Sequence, residues 1–141
     1  MPRLRRGRRG GQSAVEFALL APWYIFLFIG AFDWGFFAHG LISTENAARV
    51  AAMYNAWKNT PTDQNTACRY AWMELQTAVN VPSTLPSCSA LPIIVTATQV
   101  NGPDGAGAAQ VTVEYQTQQL IPIPGLINGQ YTFYRVVKMR I

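Results

Sequence analysis

Phe17-Ala18-Leu19-Leu20-Ala21-Pro22-Trp23-Tyr24-Ile25-Phe26-Leu27-Phe28-Ile29-Gly30-Ala31-Phe32 carries no charged side chain, and it decides how the rest of the chain is read. Ala14-Val15 precedes it and Trp34 to Ile42 continues it, so mostly apolar sequence extends well beyond one membrane thickness. A helix rises ~1.5 Å per residue, and a hydrocarbon layer of ~30 Å needs about 20 residues. Trp23 and Tyr24 near one end, with Trp34, Phe36 and Phe37 near the other, have the placement of interfacial anchors. A buried core helix is the soluble alternative, but a small domain has too little surface to cover a helix that is apolar all round. A cleaved secretory signal is the other. Its apolar region is shorter, about 7–15 residues, and ends in a small-residue cleavage site that Ala38-His39-Gly40 matches poorly.

Charge gives the orientation. Of the 11 Lys and Arg residues, Arg3, Arg5, Arg6, Arg8 and Arg9 all precede Gly10, and the net charge of +4 is mostly this patch. A basic patch by itself suits nucleic acid. Directly before an apolar span it is instead the positive-inside signal, which places the N-terminus in the cytoplasm and the remainder outside. No nucleic-acid partner is expected, and the bilayer is.

Beyond the span, Ser43 to Trp57 is Ala-rich and free of Gly and Pro. Helix propensity there supports one helix from Gln12 to Asn59, with Ala47, Val50, Ala51, Tyr54 and Trp57 near one face. Pro22 removes one backbone hydrogen bond from its early turns, and Thr60-Pro61 ends it. A Thr62/Asp63 cap opens a second helix, Gln64 to Val79, whose apolar stripe is Cys68, Ala71, Trp72, Leu75 and Val79. Val81 to Pro92 reads as a loop. The last third changes to strand period: Ile93 to Val100, Val111 to Gln116, and Tyr131 to Ile141, where adjacent Val136 and Val137 leave the inward face open. The expectation is an α+β chain: a basic leader (1–11), a transmembrane helix continuing as a stalk (12–59), and a domain (60–141) of one helix and a three-stranded antiparallel sheet.

Nothing in the sequence assembles an active site. With His39 alone and two cysteines, no metal-ligand spacing exists, and no cofactor loop or close acid pair appears. We therefore expect no catalysis, metal or cofactor. Cys68 and Cys88 lie in the part expected to face an oxidising compartment and are expected to bond to each other. Asp33 at the end of the span admits two readings, an acid at headgroup depth or a functional intramembrane acid. Leu120, Ile121, Ile123, Leu126 and Ile127 sit in a Pro- and Gly-punctuated segment that is either a loop folded over its own core or a partner surface.

The junction Arg9-Gly10-Gly11-Gln12-Ser13-Ala14-Val15-Glu16-Phe17 resembles a pilin-like signal, with a glycine before the scissile bond and a glutamate as fifth residue of the product. Gly11 to Leu19 with Pro22, then Asp33-Trp34-Gly35, then Glu45-Asn46-Ala47-Ala48-Arg49 with Ala51-Ala52, together resemble the TadE-like family, pseudopilin-like proteins of the tight-adherence (Flp) pilus machinery. Phe17 stands where Flp major pilins often have tyrosine, which separates the chain from them. The resemblance implies cleavage between Gly11 and Gln12 by a prepilin-type peptidase, with Glu16 and Phe17 in the assembly motif. It also implies other pilin-like or pilus-assembly membrane proteins as partners and a place in the bacterial inner membrane, with the C-terminal domain periplasmic or extracellular. A membrane-tethered binding module unrelated to pili, or a secreted protein, is the reading if that implication fails.

Overall fold

The structure is a computed structural model of the full chain; residues 11–57, 62–118, 121 and 129–141 are described. It divides into two compact units, Met1–Trp34 and Gly35–Ile141, taken separately below. Helix α1, Gln12–Trp57, contributes to both.

In the first unit, α1 supplies the described secondary structure. Its side chains from Val15 to Phe28 are largely exposed, including Phe17, Leu19, Trp23, Ile25 and Phe28. Pro22 lies inside the helix without ending it. Its missing N–H leaves one intrahelical bond unmade, and its neighbours carry the helix across.

The second unit is α+β. After α1 come α2 (Gln64–Leu75), β1 (Ser89–Ala90), β2 (Ile93–Asn101), β3 (Gly107–Gln116) and β4 (Thr132–Arg140). The sheet is an antiparallel meander in the order β1-β2-β3-β4. It therefore has four strands where three were expected. The added strand β1 is two residues long, pairing Ser89 with Ile94 and Ala90 with Ile93. So short a segment has no alternation to read; the long-range pairing creates it.

The core lies between one face of the sheet and the two helices. Ile93 and Val95 of β2, Val111, Val113 and Tyr115 of β3, and Phe133 of β4 meet Ala67, Cys68, Ala71 and Leu75 of α2 and Ala47, Ala48, Ala51 and Ala52 of α1. Register settles the ambiguity in β4. Tyr115 pairs with Phe133 and Val111 with Val137, so Val137 joins Phe133 on the inward face while Val136 and Tyr134 are exposed.

The inward face of α1 differs in part from expectation. Ala47 and Ala51 are buried as expected, Ala48, Ala52 and Asn55 are buried beside them, and Tyr54 and the 84% exposed Trp57 are not. From Ala47 to Asn55 the inward surface is made of small residues, while Phe37 and Leu41 pack against the core earlier in the helix. Gly40 extends that surface. A Cβ placed on it would lie 2.8 Å from Phe133 Cε2 and 3.4 Å from Tyr115 Cε1. Phe37, one turn earlier, packs edge-on against Phe133 and Tyr131 with ring centroids 5.1 and 5.4 Å away.

Helix α2 begins as expected. Asp63 caps it, accepting hydrogen bonds from Asn65 N (3.1 Å) and Thr66 N (3.0 Å). It stops at Leu75, earlier than the expected Val79, and Val79 is exposed. Its continuation is diverted into tight turns, with Ala78 N donating to Leu75 O at 2.8 Å. Asn80 then anchors the chain to β3: its side-chain N–H donates to Gln116 O (2.5 Å), and its side-chain oxygen accepts from the Tyr115 hydroxyl (2.9 Å). A second asparagine, Asn55, fixes the end of α1 to the start of α2 by donating to Ala51 O (3.0 Å) and accepting from Asp63 N (2.8 Å).

Candidate assembly segment in the N-terminal helix

Gly11 adopts a turn immediately before α1, and its carbonyl accepts from Val15 N at 3.2 Å. A side chain at Gly11 would meet nothing within 4 Å, so the position is open. The first turn of the helix holds no acidic side chain. The first carboxylate is Glu16, one turn in, whose Oε1 accepts from Gln12 Nε2 at 3.3 Å. Gln12, Glu16 and Phe17 are all exposed, with Phe17 66% exposed. The structure thus brings Gln12 and Glu16 together on one helical turn and leaves Phe17 projecting beside them.

The rest of the segment has one property that decides its use: it is apolar and not buried within the protein. α1 is the one described helix long and apolar enough to cross a membrane, and none of its most apolar window is buried. Burying a Leu, Ile or Phe side chain is worth about 1.5–3 kcal/mol each. A row of them facing outward needs lipid or other helices around it. Stacked Phe28 and Phe32, with centroids 6.1 Å apart, extend this surface.

Asp33 departs from that pattern. It is 3% exposed, and its Oδ2 makes no hydrogen bond among the described residues. A buried carboxyl oxygen without a partner is uncommon and costly.

Cys68 and Cys88 form a disulfide with Cα atoms 5.7 Å apart, tying the 81–92 segment to α2. Cys88 holds a positive φ of 53° just before β1. Of the candidate apolar surface, Ile121 is 50% exposed, while Leu120, Ile123, Leu126 and Ile127 lie outside the described residues, as do Arg3 to Arg9.

The segment running from the Gly11 turn through Glu16, the apolar helix and Asp33 to the alanine-lined face is the part that comparison with known proteins identifies. Residues 11–53 match the TadE-like protein family. No curated protein and no solved structure matches the chain. The TadE-like match starts at the glycine that precedes α1 and ends within the last turns of that helix. It takes in Gly11, Gln12, Glu16, Phe17, Asp33 and Gly40, and it leaves out the disulfide and the whole sheet.

Sequence reasoning singled out Gly11, Gln12, Glu16, Phe17 and Asp33 within the TadE-like segment but passed over Gly40. A glycine within the helical pattern was the one signal, and Gly30 and Gly35 share it while meeting nothing within 4 Å, so the sequence does not single out Gly40.

Proposed function

We propose that the chain is a minor pilin or pseudopilin of a tight-adherence pilus system, held in the bacterial inner membrane by α1. Its N-terminus is cytoplasmic and its α+β head lies outside. It works by protein contact rather than catalysis. The observation that carries this reading is the coincidence of the TadE-like match, beginning at Gly11, with an apolar helix that begins at Gln12 and is not buried in its own protein.

The chemistry follows from the helix start. A prepilin-type peptidase cutting between Gly11 and Gln12 removes the arginine leader and creates an α-amino group. Gly11, without a side chain, presents its backbone to such an enzyme at little steric cost. Glu16 lies one turn into the product. When helices pack together in a low-dielectric bundle, the new amino group of one subunit neutralises Glu16 of the next, offsetting the cost of burying both charges.

Intact mass of the protein from its native membrane tests this. A chain beginning at Gln12 is expected, and Gly11→Leu is expected to leave a heavier species retaining the five arginines. Glu16→Ala is expected to be cut normally and to lose association with partner helices. A wild-type mass that keeps Arg3 to Gly11 in cells with active peptidase refutes the pilin-like mechanism.

A further inference from the structure

The two edges of the sheet are finished differently. At one edge β1 covers only the start of β2, where Val95 N donates to Cys88 O at 2.9 Å. Beyond the end of β1 the side-chain amide of Gln64 takes over. Its Oε1 accepts from Ala97 N at 2.8 Å, and its Nε2 donates to the Val95 carbonyl. A glutamine from α2 thus imitates the next residue of a neighbouring strand. It occupies main-chain groups that would otherwise recruit another chain.

β4 forms the other edge. Its odd-numbered residues face β3, as the flanking bonds Thr117 N to Tyr131 O and Ile141 N to Gly107 O require. The N–H and C=O groups of Thr132, Tyr134, Val136, Lys138 and Arg140 therefore point away from the sheet. All five residues are exposed. Among the described residues, one of these outward groups is hydrogen-bonded: the Tyr134 carbonyl accepts from Arg135 Nη1 at 3.0 Å, an exposed contact that an incoming N–H can replace. The strand is nine residues long, pairs with β3 in unbroken register, and contains no proline.

We propose that β4 accepts an extended strand from a different polypeptide, paired antiparallel. That strand carries acidic side chains opposite Lys138 and Arg140, and apolar or hydroxyl side chains opposite Val136 and Tyr134. Charge supports the choice: β4 has Arg135, Lys138 and Arg140 and no acid, and Arg140 reaches only the exposed Asp104, at 3.2 Å. Opposite charges facing each other across paired strands are favourable, and like charges are not.

A second copy fits neither edge. Two β4 strands paired antiparallel bring no acidic side chain to face Lys138 and Arg140, because β4 carries none. Copies pointing the same way would have to set β4 against β2, where Gln64 already stands.

The test uses the full chain in detergent micelles. The probe is a fluorescent, acetylated and amidated peptide, Glu-Ile-Glu-Val-Thr-Val-Tyr, titrated by anisotropy, beside a counterpart with Lys for each Glu. Val136→Pro removes an N–H that makes no bond to β3, so the fold is retained while the edge is blocked. We expect at least tenfold weaker binding of the acidic peptide to Val136→Pro. Lys138→Glu is expected to weaken the acidic peptide at least threefold and to strengthen the basic one. Lys138→Glu, on an exposed side chain, also decides the matter if the proline variant fails to fold. Absent binding to the wild type, equal binding of the two peptides, or unchanged binding to a folded Val136→Pro overturns the proposal. So does a dimer in sedimentation that Val136→Pro dissociates, because a second copy then fills the edge. Each result is independent of whether the mature chain begins at Gln12, so the pilin reading and this one fail separately.

Discussion

Substituting Gly40 by alanine sets two opposed effects against each other, and the structure gives their order. In a helix interior, alanine is favoured over glycine by about 0.8–1.0 kcal/mol. The same methyl group would sit 2.8 Å from Phe133 Cε2, closer than carbon atoms tolerate. Phe133 cannot step aside freely: it is 6% exposed, and its ring is wedged against Phe37 at 5.1 Å and 71°. Inserting a methyl group into such a core costs typically 1–3 kcal/mol, so Gly40→Ala is expected to lose about 1 kcal/mol net. In a domain of this size that lowers Tm by about 4–8 °C. Near-UV circular dichroism of the full chain in detergent, followed during heating, measures it. Gly35→Ala is the control, because its added methyl meets nothing within 4 Å. Combining Gly40→Ala with Phe133→Leu separates the terms: once the ring is gone, the alanine is expected to become neutral or stabilising. A rise in Tm for Gly40→Ala in the wild-type background, matching that of Gly35→Ala, would refute the claim that this helix is held at glycine distance from the sheet.

The remaining expectations follow from single contacts. Thiol labelling under denaturing, non-reducing conditions is expected to find no free cysteine, and Cys68→Ser to lower stability by about 3 kcal/mol, the loop-closure value for a separation of 20 residues. Asp63→Ala removes the cap of α2 and is expected to cost about 1 kcal/mol in chemical denaturation, whereas Asp63→Asn, which retains a capping oxygen, costs less. Burial raises the pKa of Tyr115 above its ordinary value, so the folded state favours the neutral phenol that donates to Asn80. This contribution is fully present below the unfolded pKa of about 10 and is lost as pH rises through the folded value. Melting temperature plotted against pH is expected to fall more steeply above pH ~10 in the wild type than in Tyr115→Phe, and parallel curves would contradict it.

How much of this was legible in the chain depends on how local each cause is. An uncharged run of large apolar side chains behind five arginines is a one-dimensional signal, and it specified the long helix and its start at Gln12 without reference to any partner. The Asp63 cap acts within three residues, and β2, β3 and β4 announce themselves through β-branched or alternating patterns. The motif around Gly11 and Glu16 is equally local, so the family that residues 11–53 match was readable from it. What the sequence could not decide were matters of which distant surface meets which. From Ala47 onward the inward face of α1 follows close approach and not side-chain size, so Ala48 and Ala52 are buried and Trp57 is left outside. β1 exists only because β2 lies alongside it, and α2 stops at Leu75 as the chain turns toward Asn80 and its contacts with β3. Val136 and Val137 are chemically the same; only register against Val111 and Thr112 sends one inward and the other out. Side-chain pattern along a chain encodes local conformation, whereas partner choice is set by how closely surfaces can approach and by which backbone groups remain to be paired.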